Sequence, residues 1–135
     1  MAEWPNPNRL HADAPVNILI VDDSPANLLT LRLILEELGQ QVVEAGSGEE
    51  ALRLTQVQDF AIVFLDITLP GMDGFQTAQA LRAGERGRHT PIIFVTAGDL
   101  DTEQLSRGYE LGAVDFLAKP LLPLAVQSKA KALVQ

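Results

Sequence analysis

Residues 17–38 read NILIVDDSPANLLTLRLILEEL. Ile18 to Val21 form a short run of mostly β-branched apolar residues, the length and chemistry of a strand. Because the run is continuous rather than alternating, the strand must be covered on both faces, as in a parallel sheet. Asp22, Asp23 and Ser24 break it, and Pro25 takes the first helical position, where its missing N–H costs nothing. Leu28, Leu31, Leu35 and Leu38 then recur every three or four residues, one apolar stripe of a helix. A strand, an acidic turn and a helix in that order make one βα unit.

The same alternation repeats to the end of the chain. Strands are predicted at 17–22, 41–45, 61–66, 91–96 and 113–118, and helices at 25–38, 48–58, 74–83, 102–111 and 122–134. The first, third and fourth strands are nearly unbroken apolar runs and belong in the centre, whereas QVVEA at 41–45 is polar enough for an edge. Ser47 with Glu50, Asp73 with Gln76 and Asp101 with Gln104 have the spacing of capping boxes. Gly39, Gly84 and Gly112 are placed to close helices in the left-handed conformation. Five βα units joined by right-handed crossovers predict an α/β fold with a doubly wound parallel sheet, whose ligands bind beyond the carboxyl ends of the strands.

At 135 residues and 47% hydrophobic, the chain suits one domain with a full core. Eighteen acidic against ten basic residues give a net charge of -8, which argues against direct nucleic-acid binding and against an anionic membrane surface. The absence of cysteine excludes disulfides, thiol nucleophiles and thiolate zinc sites, leaving hard metals bound through oxygen. The apolar runs AIVFL at 61–65 and PIIFV at 91–95 fall well short of the roughly 20 residues that span a bilayer. No basic-then-apolar signal opens the chain, so a cytoplasmic location is expected. Residues 1–15, MAEWPNPNRLHADAP, hold three prolines and no apolar period, and are expected to be a flexible leader to a domain over 16–135.

Chemistry is expected where the first strand ends in Asp22 and Asp23 and the third ends in Asp66. Clustered carboxylates repel and call for a cation, and oxygen ligands without sulfur or histidine suit Mg²⁺, with Mn²⁺ as its substitute. The plainer alternative makes Asp22 and Asp23 solvated residues that help cap the helix at 25, and Asp66 a turn residue. Thr96 ends the fourth strand, and Lys119 follows the fifth, ahead of Pro120. One ammonium and one hydroxyl facing three acids suit a transferred phosphoryl group, and a cis Lys119–Pro120 bond would aim the amine inward. Neither GxxxxGK[ST] nor GxGxxG occurs, so phosphate would be held by side chains and metal. His11 lies in the leader and His89 in a polar loop, which leaves no hydrolytic triad.

Over residues 16–135 the chain resembles the receiver domains of two-component response regulators. The resemblance rests on the acidic pair in ILIVDDSPAN, the aspartate in FLDITLPGMDGF, the threonine in IIFVTAG and the lysine in GAVDFLAKP. It implies a flavodoxin-like (βα)5 fold with strand order 2-1-3-4-5. It implies Asp66 as phosphoacceptor, Asp23 as a direct Mg²⁺ ligand, Asp22 as a partner acting through metal-bound water, and a metal contact from the Thr68 main-chain carbonyl. Lys119 and Thr96 would contact the acyl-phosphate oxygens, and Thr96 with Phe116 would form the switch. With Phe at 116, where many members have Tyr, that switch would rest on packing alone.

The implied partners are a histidine kinase or phosphotransfer domain as donor and an output domain in a longer parent chain, the protein being an acceptor rather than a turnover enzyme. Two rivals stand beside this reading. A haloacid-dehalogenase-like phosphatase would need an Asp-x-Asp motif after its first strand, where this chain has adjacent acids. A pseudo-receiver would signal by partner binding alone. In the last helix, Leu122, Val126, Ala130 and Leu133 form the stripe expected to be buried, with Lys129 and Lys131 facing outward. Opposite Asp101, Glu103 and Glu110 of the preceding helix, these lysines suggest a weak homodimer through the last two helices and fifth strand. Tyr109 shares a helix face with Leu105 and is expected in core or rim packing.

Overall fold

The computed structural model describes residues 15–134, so all of the expected leader but Pro15 lies outside the described residues. The elements alternate as β1 (Asn17–Val21), α1 (Pro25–Glu36), β2 (Gln41–Ala45), α2 (Gly48–Val57), β3 (Ile62–Asp66), α3 (Gly74–Ala83), β4 (Ile92–Thr96), α4 (Thr102–Glu110), β5 (Ala113–Ala118) and α5 (Pro123–Val134). All neighbouring strands are parallel, in the order β2-β1-β3-β4-β5. The chain is thus the doubly wound, flavodoxin-like α/β sheet that its βα periodicity predicts.

Successive residues of a strand face opposite sides, and here both sides are packed. Ile18, Ile20, Ile62, Phe64, Ile93 and Val95 pack with Leu31 and Leu35 of α1 and Val126 and Ala130 of α5. Leu19, Val21, Val63, Leu65, Ile92 and Phe94 pack with Phe75, Ala78 and Leu81 of α3 on the other side. Each fully buried Leu, Ile or Phe contributes roughly 1.5–3 kcal/mol relative to exposure, so β3, buried at all five positions, anchors the sheet. Its last residue, Asp66, is carried by that rigid strand.

Local signals held at most helix starts. Asp73 with Gln76 and Asp101 with Gln104 form complete capping boxes. At α2 only half the box forms: Ser47 accepts from the Glu50 N–H, but the Glu50 side chain accepts the Gly46 N–H instead. Gly39 and Gly112 adopt φ of 79° and 87° as expected, whereas Gly84 is extended at φ −89° and the third left-handed glycine is Gly71, in the β3–α3 loop.

α5 differs more. Pro123 opens the helix, which leaves Leu122 before it and 64% exposed, so the buried stripe is Val126, Ala130 and Val134, with Leu133 partly covered. Lys129 does not face freely outward, because its ammonium binds Asp115 of β5 within the same chain. That pairing removes one of the two lysines from the charge argument for a two-fold contact.

Candidate functional site

Asp22 is the first residue beyond β1, and its N–H still donates to the Ala45 carbonyl at 3.1 Å. Its side chain turns under the start of α1. Oδ1 accepts the Ser24 N–H at 2.9 Å, and Oδ2 accepts the Asn27 side-chain amide at 3.2 Å, while Ser24 caps the helix through its own Oγ. Asp22 therefore supports the helix start and belongs to the acidic cluster at once, which joins the two readings its position allowed. Asp23 beside it is exposed.

Asp66 is buried at the end of β3. The Thr68 N–H donates to Oδ1 at 2.8 Å, and Lys119 Nζ donates to Oδ2 at 2.9 Å and lies 3.3 Å from Asp22 Oδ2. Lys119 is placed by the loop after β5, where its N–H donates to the Thr96 carbonyl at 2.8 Å and its bond to Pro120 is cis. Gly74, at the start of α3, packs so closely that a Cβ there would stand 2.4 Å from the Asp66 carbonyl oxygen. β3 and α3 can meet this closely only with glycine at that position.

The electrostatics follow from crowding. Burial pushes the Asp66 carboxyl above its usual range, and the neighbouring Asp22 charge adds to that, against the pull of Lys119 and the Thr68 N–H. Burial alone would lower the Lys119 ammonium, but its bonds and attraction to Asp66 and Asp22 outweigh burial and hold it above the usual lysine value. Asp22, Asp23 and Asp66 each offer a carboxylate oxygen within 4.8 Å of the others. Hard oxygen donors carrying three negative charges against one ammonium fit a divalent cation such as Mg²⁺.

Thr96 makes no hydrogen bond to this cluster. Its hydroxyl donates to the Gly98 carbonyl at 3.0 Å and accepts the Gly98 N–H at 3.3 Å, closing a small loop of its own. Phe116, one strand away, stacks on Phe94 with ring centroids 5.6 Å apart and meets the Tyr109 ring edge-on at 5.1 Å. Tyr109 is a rim residue, 54% exposed. The only buried residue of α4 is Gly108, where a Cβ would stand 2.5 Å from the Phe116 ring. The helix that covers Phe116 is thus seated on a bare Cα.

Asn27, Gly74 and Gly108 carry contacts that sequence reasoning did not assign. Asn27 had a local signal, since it stands three residues after the cap Ser24. Gly108 had the weaker signal of a glycine inside a helix, which costs about 1 kcal/mol against alanine and so asks for a packing reason.

A flavodoxin-like sheet with three acids and one lysine gathered at its carboxyl rim defines an α/β domain whose ligand site lies beyond the strand ends. The chain belongs to the response regulator receiver domain family, whose model matches residues 18–131. It is 38% identical over 115 residues to the sensor histidine kinase GacS of Pseudomonas protegens, covering 83% of this chain and 12% of that protein. It is 39% identical over 118 residues to the transcriptional regulatory protein SrrA of Staphylococcus aureus, covering 87% of this chain and 47% of SrrA. The chain thus spans less than half the length of these curated relatives.

Among solved structures, the chemotaxis protein CheY4 of Vibrio cholerae superposes with a TM-score of 0.84 at 29% identity, over 89% of this chain and 99% of that one. The receiver domain of a sensor histidine kinase from Pseudomonas aeruginosa, with magnesium coordinated in its active-site cleft, gives 0.81 at 31% identity, over 90% and 98%. The protein is a receiver domain of two-component signalling, a family whose standard function is phosphoryl transfer to an aspartate. No helix among the described residues is long and apolar enough to cross a membrane.

Proposed function

We propose that Asp66 is the phosphoacceptor, taking its phosphoryl group from a phosphohistidine of a histidine kinase or phosphotransfer domain. The observation that carries this reading is the Asp66 carboxylate, buried at the end of a rigid central strand yet held by Lys119 and the Thr68 N–H at the rim. A carboxylate oxygen attacks phosphorus, the new O–P bond forms as the P–N bond breaks, and the electron pair returns to the imidazole, which takes a proton. Such transfers need positioning and charge stabilisation more than further covalent chemistry. Asp23, Asp66 and the Thr68 carbonyl would hold Mg²⁺, or Mn²⁺ in its place, with Asp22 acting through water; the cation, when bound, supplies charge neutralisation for the phosphoryl oxygens.

Lys119, 2.9 Å from Asp66, is within reach of an oxygen on the acyl phosphate. Thr96 reaches it by giving up its bond to Gly98, and that rotation alters the packing beside Phe116. The phosphoryl group then favours one of two arrangements of Thr96, Phe116 and α4, which an output domain or separate partner reads. The domain acts as an acceptor, with no turnover of a small substrate. Incubation with acetyl phosphate and Mg²⁺ should add one phosphoryl group, seen by intact mass, and Asp66→Asn should abolish it. Undiminished labelling of that variant would overturn the assignment.

A further inference from the structure

We propose that Asn27 is a positioning residue for phosphoryl acceptance, whose side-chain amide holds Asp22 in place and remains its donor when Lys119 turns to the phosphoryl group. The proposal rests on Asp66 being the acceptor. Asp22's side chain is 3% exposed, so it takes its donors from the protein. Its Oδ1 has the Ser24 N–H at 2.9 Å, and its Oδ2 has two donors, Asn27 Nδ2 at 3.2 Å and Lys119 Nζ at 3.3 Å.

Lys119 is shared, and it lies closer to Asp66 than to Asp22. Once a phosphoryl group sits on Asp66, its oxygens compete for the ammonium, and Asp22 Oδ2 would be left buried with no donor but Asn27. An unsatisfied buried carboxylate oxygen is costly, and an Asp22 that swings to find a new donor no longer presents the cluster in the geometry that meets a cation.

The residue type fits the task. At the third position of a helix, Gln or Glu ordinarily reaches back to the N–H of the cap residue. Here Asp22 already accepts the Ser24 N–H, which frees the side chain at 27 to serve Asp22 itself. Asp or Glu at 27 would add a further carboxylate to the cluster, and an apolar residue would bring no donor. The Asn27 N–H is meanwhile fixed on Ser24 Oγ at 3.3 Å, so the amide is carried by a capped first turn.

The test uses the full chain with Asn27→Ala and Asn27→Gln, and two readouts: the Mg²⁺ midpoint from melting temperature against Mg²⁺ concentration, and the rate of labelling by acetyl phosphate at saturating Mg²⁺. Asn27→Ala should raise the midpoint and slow labelling by about tenfold or more, the usual cost of losing a partner that orients a metal-site carboxylate. Asn27→Gln, which keeps the amide, should recover most of both. If Asn27→Ala loses melting temperature without Mg²⁺ but keeps the wild-type midpoint and rate, the role is merely structural and the proposal fails. It fails equally if Asn27→Gln is as impaired as Asn27→Ala, because the donor would then not matter. Absence of label on the wild-type chain would instead overturn Asp66 as acceptor, while the Mg²⁺ midpoints would still decide whether Asn27 positions Asp22.

Discussion

At the carboxyl end of the sheet Lys119 is, among the described residues, the single ammonium bound to Asp22 and Asp66, with Asp23 alongside. At the amino end, Arg82 of α3 forms no ion pair among the described residues. Its guanidinium donates to the carbonyls of Leu111, Gly87 and Thr90 at 2.7 Å, Gly112 at 3.1 Å and Arg88 at 3.3 Å. These bonds tie the last turn of α3 to the loops that enter β4 and β5. Gly112 is needed there twice, for its φ of 87° and because a Cβ would stand 2.7 Å from Arg82 Nη2. Burial lowers the Arg82 pKa, yet guanidinium stays charged at any ordinary pH. One end therefore satisfies its charge with fixed dipoles from the chain itself. The other holds like charges together around one ammonium, the kind of local conflict that marks a functional site.

If the amino end serves stability, Arg82→Ala should cost about 3 kcal/mol in urea unfolding, because several half-buried carbonyls lose a charged donor together. Arg82→Lys should recover little, since a point ammonium cannot reach the same fan of acceptors. A wild-type unfolding curve for Arg82→Ala would break the contrast. At the carboxyl end, Mg²⁺ at a hundred times its dissociation constant should stabilise the folded chain by about 2.7 kcal/mol, read as a rise in melting temperature. Asp23→Ala should abolish most of that gain. Arg82→Ala should keep it in full, because five-residue strands separate the two ends by roughly 17 Å and distant sites add independently. A lost gain in Arg82→Ala would mean the ends are coupled.

The smallest effect belongs to the pair on the flank, Asp115 with Lys129, which is partly exposed. Burial raises the Asp115 carboxyl, but the Lys129 bond and the Phe116 N–H outweigh it and hold the pKa below the ordinary 3.8. A depressed carboxyl contributes stability that is present above the ordinary value and is lost as pH falls through the folded value. Asp115→Asn should therefore cost less than about 1 kcal/mol near neutral pH, screened by salt, and should make the acid limb of the melting curve shallower below pH 3.8. An effect as large as that of Arg82→Ala would place a main support of the fold on the flank.

The strands at 41–45 and 113–118 and the helix over 74–83 coincide with their predicted limits, and the other elements shift by only one or two residues. The helix starts were legible because Ser24, Asp73 and Asp101 each accept a backbone N–H three residues on. Where prediction failed, a nearer local signal prevailed at Leu122 and Gly84, and only at Lys129 did the missing partner lie outside such a window. Leu122 continues the apolar stripe of α5 in sequence, but Pro123 begins the helix and leaves it exposed. Gly84 ends α3 without a left-handed turn, its N–H donating to the Leu81 carbonyl. Lys129 meets Asp115 on a strand packed beside it.

The order of residues alone determined that this is a parallel α/β domain, since hydrophobic period and helix caps are written within a few neighbours, and it brought Asp22, Asp23, Asp66, Thr96 and Lys119 to the ends of strands. Tertiary structure decided which of these meet. Lys119 reaches Asp66 across 53 positions of chain, Thr96 turns instead to Gly98, and Arg82 collects carbonyls as far as 30 residues away. Charge and hydrogen-bond partners in the interior depend on which segments the folded sheet brings within about 3 Å, and that proximity follows from packing the whole chain rather than from any window of its sequence.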